Sequence, residues 1–174
     1  DKKEETETKV VHLSNEMLST PEIAVGLTQK EAIRMYEYAL NLFNCAKKAV
    51  IENDMKAAAE GKAISKTLDI FNDEINAFLT KLSAKSLSAR SLRIIHNIST
   101  AVEEINQIGD RSVKLIKTKN KMNDKHIIFS PDASEELNNI IKLVEEFCHQ
   151  VEKLYISGDK LKEISGFAEN EEKI

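Results

Sequence analysis

The chain has 174 residues, of which 41% are hydrophobic and 31% charged, so it is long enough for one substantial core but hardly for two complete domains. Acidic and basic residues are interspersed and leave a net charge of -4, without the clustered basic surface that nucleic-acid binding requires. Only two prolines and five glycines interrupt the sequence, which favours an all-α fold of long helices over many short strands.

The first nine residues, DKKEETETK, are charged or polar and contain no large apolar side chain. Residues 1–19 are therefore predicted to form a linker or a frayed helix start. No apolar run approaches the roughly 20 residues of a membrane-spanning helix, and the start of the chain has no signal-peptide pattern. Because the chain lacks an initiating Met, we expect it to be a fragment of a longer protein.

The first long helix is predicted to begin at residues 20–22 and to run to about Asp54. Thr20 can cap the helix, Pro21 suits its first position, and Glu22 complements the positive helix end. Two adjoining stripes at spacings of three and four predict a wide buried face. They comprise Ile33, Tyr36, Leu40, Phe43 and Val50, and Ala32, Met35, Ala39, Leu42, Ala46 and Ala49.

Two further helices are predicted, separated by a short connection at residues 83–88. The second, from about residue 55 to 82, carries Ile64, Leu68, Phe71, Ile75, Phe78 and Leu82. The third carries Ile94, Ile98, Ala101, Ile105, Ile108 and Leu115. Because short connections make successive helices antiparallel neighbours, residues 20–118 are predicted to close into a three-helix bundle.

A polar break at residues 117–129 precedes a second capped opening, Ser130-Pro131-Asp132. The helix after it carries Leu137, Ile141, Val144, Cys148, Val151 and Tyr155, and residues 157–174 are also predicted to be helical. Two openings of the same design suggest a tandem repeat with an incomplete second copy. The predicted division is a connector at 119–130 and a partial repeat at 131–174.

Two features of the sequence are considered as signs of metal binding or catalysis, and neither supports it. Cys45 and Cys148 occupy apolar helical positions without metal-binding spacing, which predicts buried free thiols. Glu146 and His149 form an E-x-x-H pair of the kind found in di-iron bundles, but a di-iron site needs a second copy, which the sequence lacks. No phosphate loop, nucleophile elbow or catalytic triad is recognisable, so we expect a non-enzymatic protein.

Three segments in the predicted bundle resemble the PhoU family. They are Pro21-Glu22-Ile23-Ala24 with Glu31, Arg34 and Met35 on the first helix, Asp69-Ile70-Phe71-Asn72-Asp73 with Glu74-Ile75-Asn76 on the second, and Val102 to Arg111 on the third. The likeness spans residues 20–118 and is nearest to the PhoU-like region behind the membrane part of bacterial sodium/phosphate cotransporters. Each motif is unspecific by itself, but the three occur in the family's order.

The resemblance implies a regulatory domain on the cytoplasmic side of the membrane that modulates phosphate uptake. Its implied partners are the transporter part of the same polypeptide or a phosphate transport complex. It also implies a divalent or trivalent metal ion, iron or zinc, held by acidic motifs. The corresponding positions here are Asp69, Asp73, Asn106 and Asp110.

Helical spacing is compatible with this metal site but does not require it. Both pairs are four residues apart and are predicted to face away from the core, so each presents its oxygens side by side. Ordinary solvated acids explain the same pattern, since like charges at this spacing cost only about 0.2–0.5 kcal/mol. The family has a carboxylate where this chain has Asn106, and the neutral amide lowers the expected cation affinity.

Two alternatives remain open at this point. One is a non-catalytic helical scaffold or partner-binding module without a link to phosphate. The other is a free-standing PhoU-type regulator of phosphate signalling. An incomplete second repeat would leave apolar surface on its first helix, which we expect to be covered by docking on the first bundle or by dimerisation.

Overall fold

The computed structural model describes residues 10–157. A short 3₁₀ helix, Asn15–Ser19, precedes four α-helices: α1 (Pro21–Ile51), α2 (Met55–Ser83), α3 (Ala89–Asp124) and α4 (Pro131–Ser157). The part of the chain that the structure describes is all-helical and contains no strand, as the sparse glycine and proline predict. The helix predicted for residues 158–174 lies outside the described residues, as do residues 1–9 of the linker predicted over residues 1–19.

The chain divides into two compact units, the first ending at Thr118 and the second beginning at Lys119. In the first unit, the start of α1 is bonded to the start of α3 through Glu22 and Ser88. The later part of α1 instead meets the early part of α2, where Gly61 faces Cys45. Helices α1 and α3 therefore run in the same direction and α2 runs antiparallel to both, which confirms the predicted three-helix bundle.

The core of the bundle is unusually rich in small residues on α1. The predicted alanine stripe, from Ala32 to Ala49, is between 0 and 6% exposed, and Met35 and Leu42 in the same stripe are completely buried. Side chains as small as alanine let helix backbones approach closely, so larger residues of the neighbouring helices fill the space between them. Those fillers come mainly from the predicted stripe of α2, namely Leu68, Phe71, Ile75, Phe78 and Leu82.

The buried seam of α3 differs from the predicted stripe. Its buried positions follow one another at spacings of three and four: Ile95, Ile98, Val102, Ile105, Gly109, Ser112 and Ile116. The prediction instead included Leu115, which is 38% exposed, and Ile94, Ala101 and Ile108, which are half-buried. Apolarity alone selected the wrong line because two members of the true seam, Gly109 and Ser112, are not large apolar residues.

Two glycines make this seam possible. A Cβ on Gly109 would collide with Leu68 of α2, and a Cβ on Gly61 would lie 2.8 Å from Ile116 Cδ1. Leu68 of α2 and Ile116 of α3 therefore occupy the space that a Cβ would need, so a larger residue at either glycine requires these side chains to move. Ser112 also fits this surface because its buried hydroxyl donates to the carbonyl of Ile108 one turn earlier, at 2.8 Å.

The helix ends correct several expectations. Thr20 makes no side-chain cap to α1, although Pro21 occupies the first turn as predicted. Asp54 lies outside α1 and caps α2, since its Oδ1 accepts from the amides of Lys56 and Ala57 at 2.9 and 3.1 Å. Ser130 does cap α4, through its Oγ and the amide of Ala133 at 3.2 Å. The second capped opening is confirmed, and the first is wrong in its capping residue.

The polar break expected from residue 117 begins later, because α3 continues to Asp124. Lysine is a good helix former, so a polar composition alone does not end a helix. The end comes where His126 adopts a left-handed conformation, with φ 55°, and the amide of Ile127 bonds the carbonyl of Met122 at 2.8 Å. The division of the chain into a repeat, a connector and a partial repeat stays a prediction.

In the second unit, α4 is amphipathic but only partly covered. Ile141 is buried, whereas Leu137, Val144, Cys148 and Val151 of the predicted stripe are half-buried. The side chain of Tyr155 lies outside the described residues. Cys45 is a buried thiol as predicted, while the Cys148 thiol is only half-buried, and neither is in a disulfide within the described residues.

Candidate functional site

The two aspartates predicted to bind metal on α2 are exposed. Asp69 follows the buried Leu68, and Asp73 lies between the buried Phe71 and Ile75. The buried residues of α2 thus recur at the predicted helical spacing, and the two carboxylates between them face solvent. Within the described residues, neither carboxylate is paired with another side chain, so both present unneutralised charge on one face.

The two predicted residues on α3 are placed differently from each other. Asp110 is exposed, whereas Asn106 is half-buried, so its amide does not face solvent as freely as expected. The close approach of Gly109 to Leu68 brings this part of α3 against the α2 segment that carries Asp69. The helix segments that hold the two predicted motifs thus meet at one crossing.

This crossing supplies exposed oxygen donors, but it does not gather three strong ligands at one point. Between residues 10 and 157, no group of three or more His, Cys, Asp or Glu side chains is arranged to hold a metal ion. An amide oxygen such as that of Asn106 would have to complete any set, and hard cations accept such oxygens. The assignment of Asp69, Asp73, Asn106 and Asp110 stays a prediction.

A buried carboxylate that the apolar pattern does not place in the core lies on α1. Glu31 is completely buried, and its Oε1 accepts from the backbone amides of Val11 and His12 at 3.1 and 2.8 Å. Its Oε2 accepts from Arg34 Nη1 at 2.7 Å. The imidazole Nε2 of His12 lies 3.9 Å from Oε1. Glu31 therefore fastens the segment before the 3₁₀ helix to the bundle.

The guanidinium group of Arg34 links this carboxylate to α2. Its central carbon lies 5.2 Å from the centroid of the Phe71 ring, and the Tyr38 ring packs against the same ring at 5.2 Å. A cation over an aromatic face and an ion pair with Glu31 together hold the side chain in one orientation.

A second carboxylate, Glu22, joins the start of α1 to the start of α3. One of its oxygens accepts from the Ser88 amide at 2.9 Å, and the other accepts a short hydrogen bond from the Ser91 hydroxyl. These two hydrogen bonds hold the pKa of Glu22 below its ordinary value of 4.5, and the bond from the Ser91 hydroxyl has the larger effect. The Glu22 carboxylate thus accepts hydrogen bonds from residues at the amino end of α3 rather than from the amides of its own helix.

The E-x-x-H pair does not form the contact that its spacing suggests. His149 Nδ1 lies 3.5 Å from Glu152 Oε2, and both side chains are substantially exposed. This is an ordinary i, i+3 surface contact on α4. The pairing gives no support to a di-iron arrangement around Glu146.

Comparison with known protein families gives one match. The model of the PhoU domain matches residues 32–118, half of the chain. The chain belongs to the PhoU domain family. A search of curated proteins and a search of solved structures each gave no match.

The PhoU match begins one residue after Glu31 and ends at Thr118, the last residue of the first unit. It includes all four residues predicted to bind metal, and it leaves out Glu22 and Glu31. PhoU domains are helical and regulatory, and the helical character agrees with the bundle formed by α1 to α3. In residues 10–157, no helix is long and apolar enough to cross a membrane.

Proposed function

We propose that this chain is the cytoplasmic regulatory domain of a sodium-dependent phosphate transporter and modulates uptake without catalysing a reaction. The observation that carries the proposal is the PhoU match over residues 32–118, the segment that folds into the three-helix bundle. The family supports a phosphate-related regulatory role. The transporter context is our inference from the order of the three sequence motifs.

The proposed mechanism is conformational. A transporter alternates between states, and a bundle that binds one state more tightly shifts the population toward it by the difference in binding free energy. The bundle suits this role because its core is continuous from α1 to α3 and its surface is rich in charges. The proposed partners are therefore the membrane part of the same polypeptide or a phosphate transport complex.

The test is phosphate uptake in cells that express either the intact gene or a version with the codons for residues 21–157 deleted in frame. Uptake of radiolabelled phosphate is measured in sodium buffer and in potassium buffer. We expect the deletion to change the sodium-dependent component. An unchanged uptake, with equal amounts of transporter in the membrane, would refute the regulatory role. A change that is independent of sodium would favour the free-standing PhoU-type regulator.

Metal binding is a separate part of the proposal. We propose that iron or zinc binds across α2 and α3 with Asp69, Asp73, Asn106 and Asp110 as ligands. The exposed, unneutralised carboxylates and the close crossing at Gly109 support this set. Elemental analysis of protein purified without chelators should find iron or zinc in a stoichiometric amount. Protein that contains no stoichiometric metal would contradict this part of the proposal.

Matched variants make the metal experiment specific. Asp69→Asn with Asp110→Asn removes one carboxylate from each helix and should abolish the bound metal. Glu37→Gln with Glu52→Gln removes two exposed carboxylates elsewhere on the bundle and should leave the metal content unchanged. Equal metal loss in both double variants would indicate unspecific attraction to surface charge.

A second candidate function, a partner-binding module, is favoured by apolar side chains that remain exposed in the second unit. Ile127, Ile128 and Ile140 are 49, 88 and 52% exposed. Exposed apolar groups concentrated in one short stretch indicate an interaction surface. We propose that a second copy of this chain covers it. Light scattering should then give the mass of a dimer, and a monomer at high concentration would contradict this assignment.

A further inference from the structure

A groove between the end of α1 and the start of α2 has room for a small molecule and is lined mainly by hydrogen-bond donors. The cavity has a volume of about 560 Å³, within the range of roughly 300–1,000 Å³ that small-molecule sites occupy. It lies entirely in the first unit, and no residue predicted to bind metal lines it. The buried Cys45 and Ala57 line its inner side.

The polar residues of the groove are mostly hydrogen-bond donors. Three lysines and two asparagine amides line it: Lys47 and Lys48 at the end of α1, Lys56 at the start of α2, and Asn41 and Asn44 one to two turns earlier on α1. Ammonium and amide groups converging from two helices are the donors that bind oxyanions. The two asparagines are three residues apart, so they share one face of α1.

Two carboxylates also line the groove, and they decide how positive it is. Asp54 uses Oδ1 to accept from the amides of Lys56 and Ala57, so its negative charge is directed at the positive end of α2. Glu60 is the other carboxylate and lies exposed one turn further along. Three lysines against two carboxylates leave the groove with a net charge of +1, in a chain whose net charge is -4. The groove is thus a locally positive region of an acidic protein.

The environment of Cys45 gives no support to a thiol reaction in the groove. Burial raises the pKa of the Cys45 thiol, and the nearby Glu60 carboxylate raises it further. The thiol is therefore protonated at neutral pH and contributes a small apolar surface. Binding rather than covalent chemistry is the activity that this set of residues supports.

We propose that the groove between α1 and α2 binds a small oxyanion of the phosphate class, either inorganic phosphate or a phosphomonoester. Lys48 and Lys56 approach the anion from the two helices, and the side-chain amides of Asn41 and Asn44 donate hydrogen bonds to its oxygens. The inference rests on the residues of the groove and not on the transporter role. Its failure would leave the uptake experiment unaffected.

The test uses the whole 174-residue chain, labelled for nuclear magnetic resonance, with inorganic phosphate and glycerol phosphate as separate probes. Sodium chloride at the same ionic strength is the control. We expect the side-chain amide signals of Asn41 and Asn44 to shift and saturate with at least one probe, while signals from residues far from the groove stay in place. The probe that saturates at lower concentration identifies the source of the phosphate group.

Matched variants separate the groove from general charge. Lys48→Gln with Lys56→Gln removes two lysines of the groove, and Lys62→Gln with Lys66→Gln removes two exposed lysines elsewhere on α2. The first pair should weaken binding by roughly 2- to 30-fold, since two exposed charge pairs together contribute about 0.4–2 kcal/mol. The second pair should bind like the unmodified chain. Circular dichroism establishes that both double variants are folded.

Three results would overturn the proposal. They are shifts that do not saturate with either probe, the same shifts with chloride, and equal weakening in both double variants. If the groove variant fails to fold, the unmodified chain still decides the question, because localised and saturating shifts at Asn41 and Asn44 are required in it.

Discussion

Replacing Gly61 by alanine tests whether the bundle depends on a close approach of its three helices. A Cβ at this position would lie 2.8 Å from Ile116 Cδ1, 3.1 Å from Cys45 Cβ and 3.2 Å from Leu42 Cδ1. The Ile116 methyl group can rotate away, but Cys45 Cβ is attached directly to the backbone of α1. The substitution therefore forces α1 and α2 apart.

The expected size of the effect follows from two opposing contributions. Alanine in a helix interior stabilises by about 0.5–1 kcal/mol relative to glycine, and overpacking a filled core costs about 1–3 kcal/mol. Gly26 on α1 provides the matched control, because a Cβ there meets nothing within 4 Å. Gly26→Ala should therefore stabilise, and Gly61→Ala should be less stable than Gly26→Ala by about 1–3 kcal/mol.

Urea unfolding followed by circular dichroism measures this difference as a change in midpoint at constant slope. In thermal unfolding the two variants should differ by roughly 2–4 °C for each kcal/mol. Adding Ile116→Val removes the nearest colliding atom, so the double variant should be more stable than the sum of the two single changes predicts. If Gly61→Ala is as stable as Gly26→Ala, the close crossing is not a feature of the protein in solution.

Three further predictions concern the carboxylates and the second helix opening. Glu31→Ala should destabilise by about 2–4 kcal/mol in urea unfolding, because it leaves Arg34 without its buried partner, whereas the exposed Glu37→Ala should stay within about 0.5 kcal/mol. The stability that the Glu22 carboxylate contributes is fully present above its ordinary pKa of 4.5 and is lost as pH falls through its lowered folded value. Glu22→Gln lacks this contribution at every pH, so below about pH 4.5 its melting temperature should fall less than that of the unmodified chain. Ser130→Ala should destabilise α4 by about 0.5–2 kcal/mol, measured as faster amide exchange in its first turn, while Thr20→Ala should leave the first turn of α1 unchanged.

The helices were predictable because their determinants are local. Proline at the start of α1 and α4, and apolar residues repeated every three or four positions on α2, identify the elements and their buried faces without knowledge of the tertiary structure. The candidate metal residues could be placed on the solvent side by the same counting. Asn106 is the exception, since it lies next to the buried Ile105 at a crossing where the helices come close.

The remaining errors arise where long-range packing decides the outcome. The seam of α3 depends on Gly109 and Ser112, whose importance becomes visible only when Leu68 and Leu42 of the other helices are in place. The burial of Glu31 could have been predicted from its position, because it follows Thr28 and precedes Met35 on the line of buried α1 residues. A carboxylate on a core line predicts a buried partner, but not that the partners are Arg34 and the backbone of an earlier segment.

The small residues that bring the helices together also limit how this bundle can transmit a signal. Sliding α2 along α3 by one helical turn would move Leu68 away from Gly109 and place Ile116 against a residue larger than Gly61. A shifted register therefore has a steric cost that the present register does not have. Close-packed interfaces of this kind change between discrete arrangements rather than deforming continuously. The regulation proposed here is therefore expected to involve movement of the whole bundle against its partner, with Asp69 and Asp110 keeping their mutual spacing. Labels on α2 and α3 should then report the same separation with and without metal or phosphate, and a ligand-dependent change in that separation would contradict rigid-body movement.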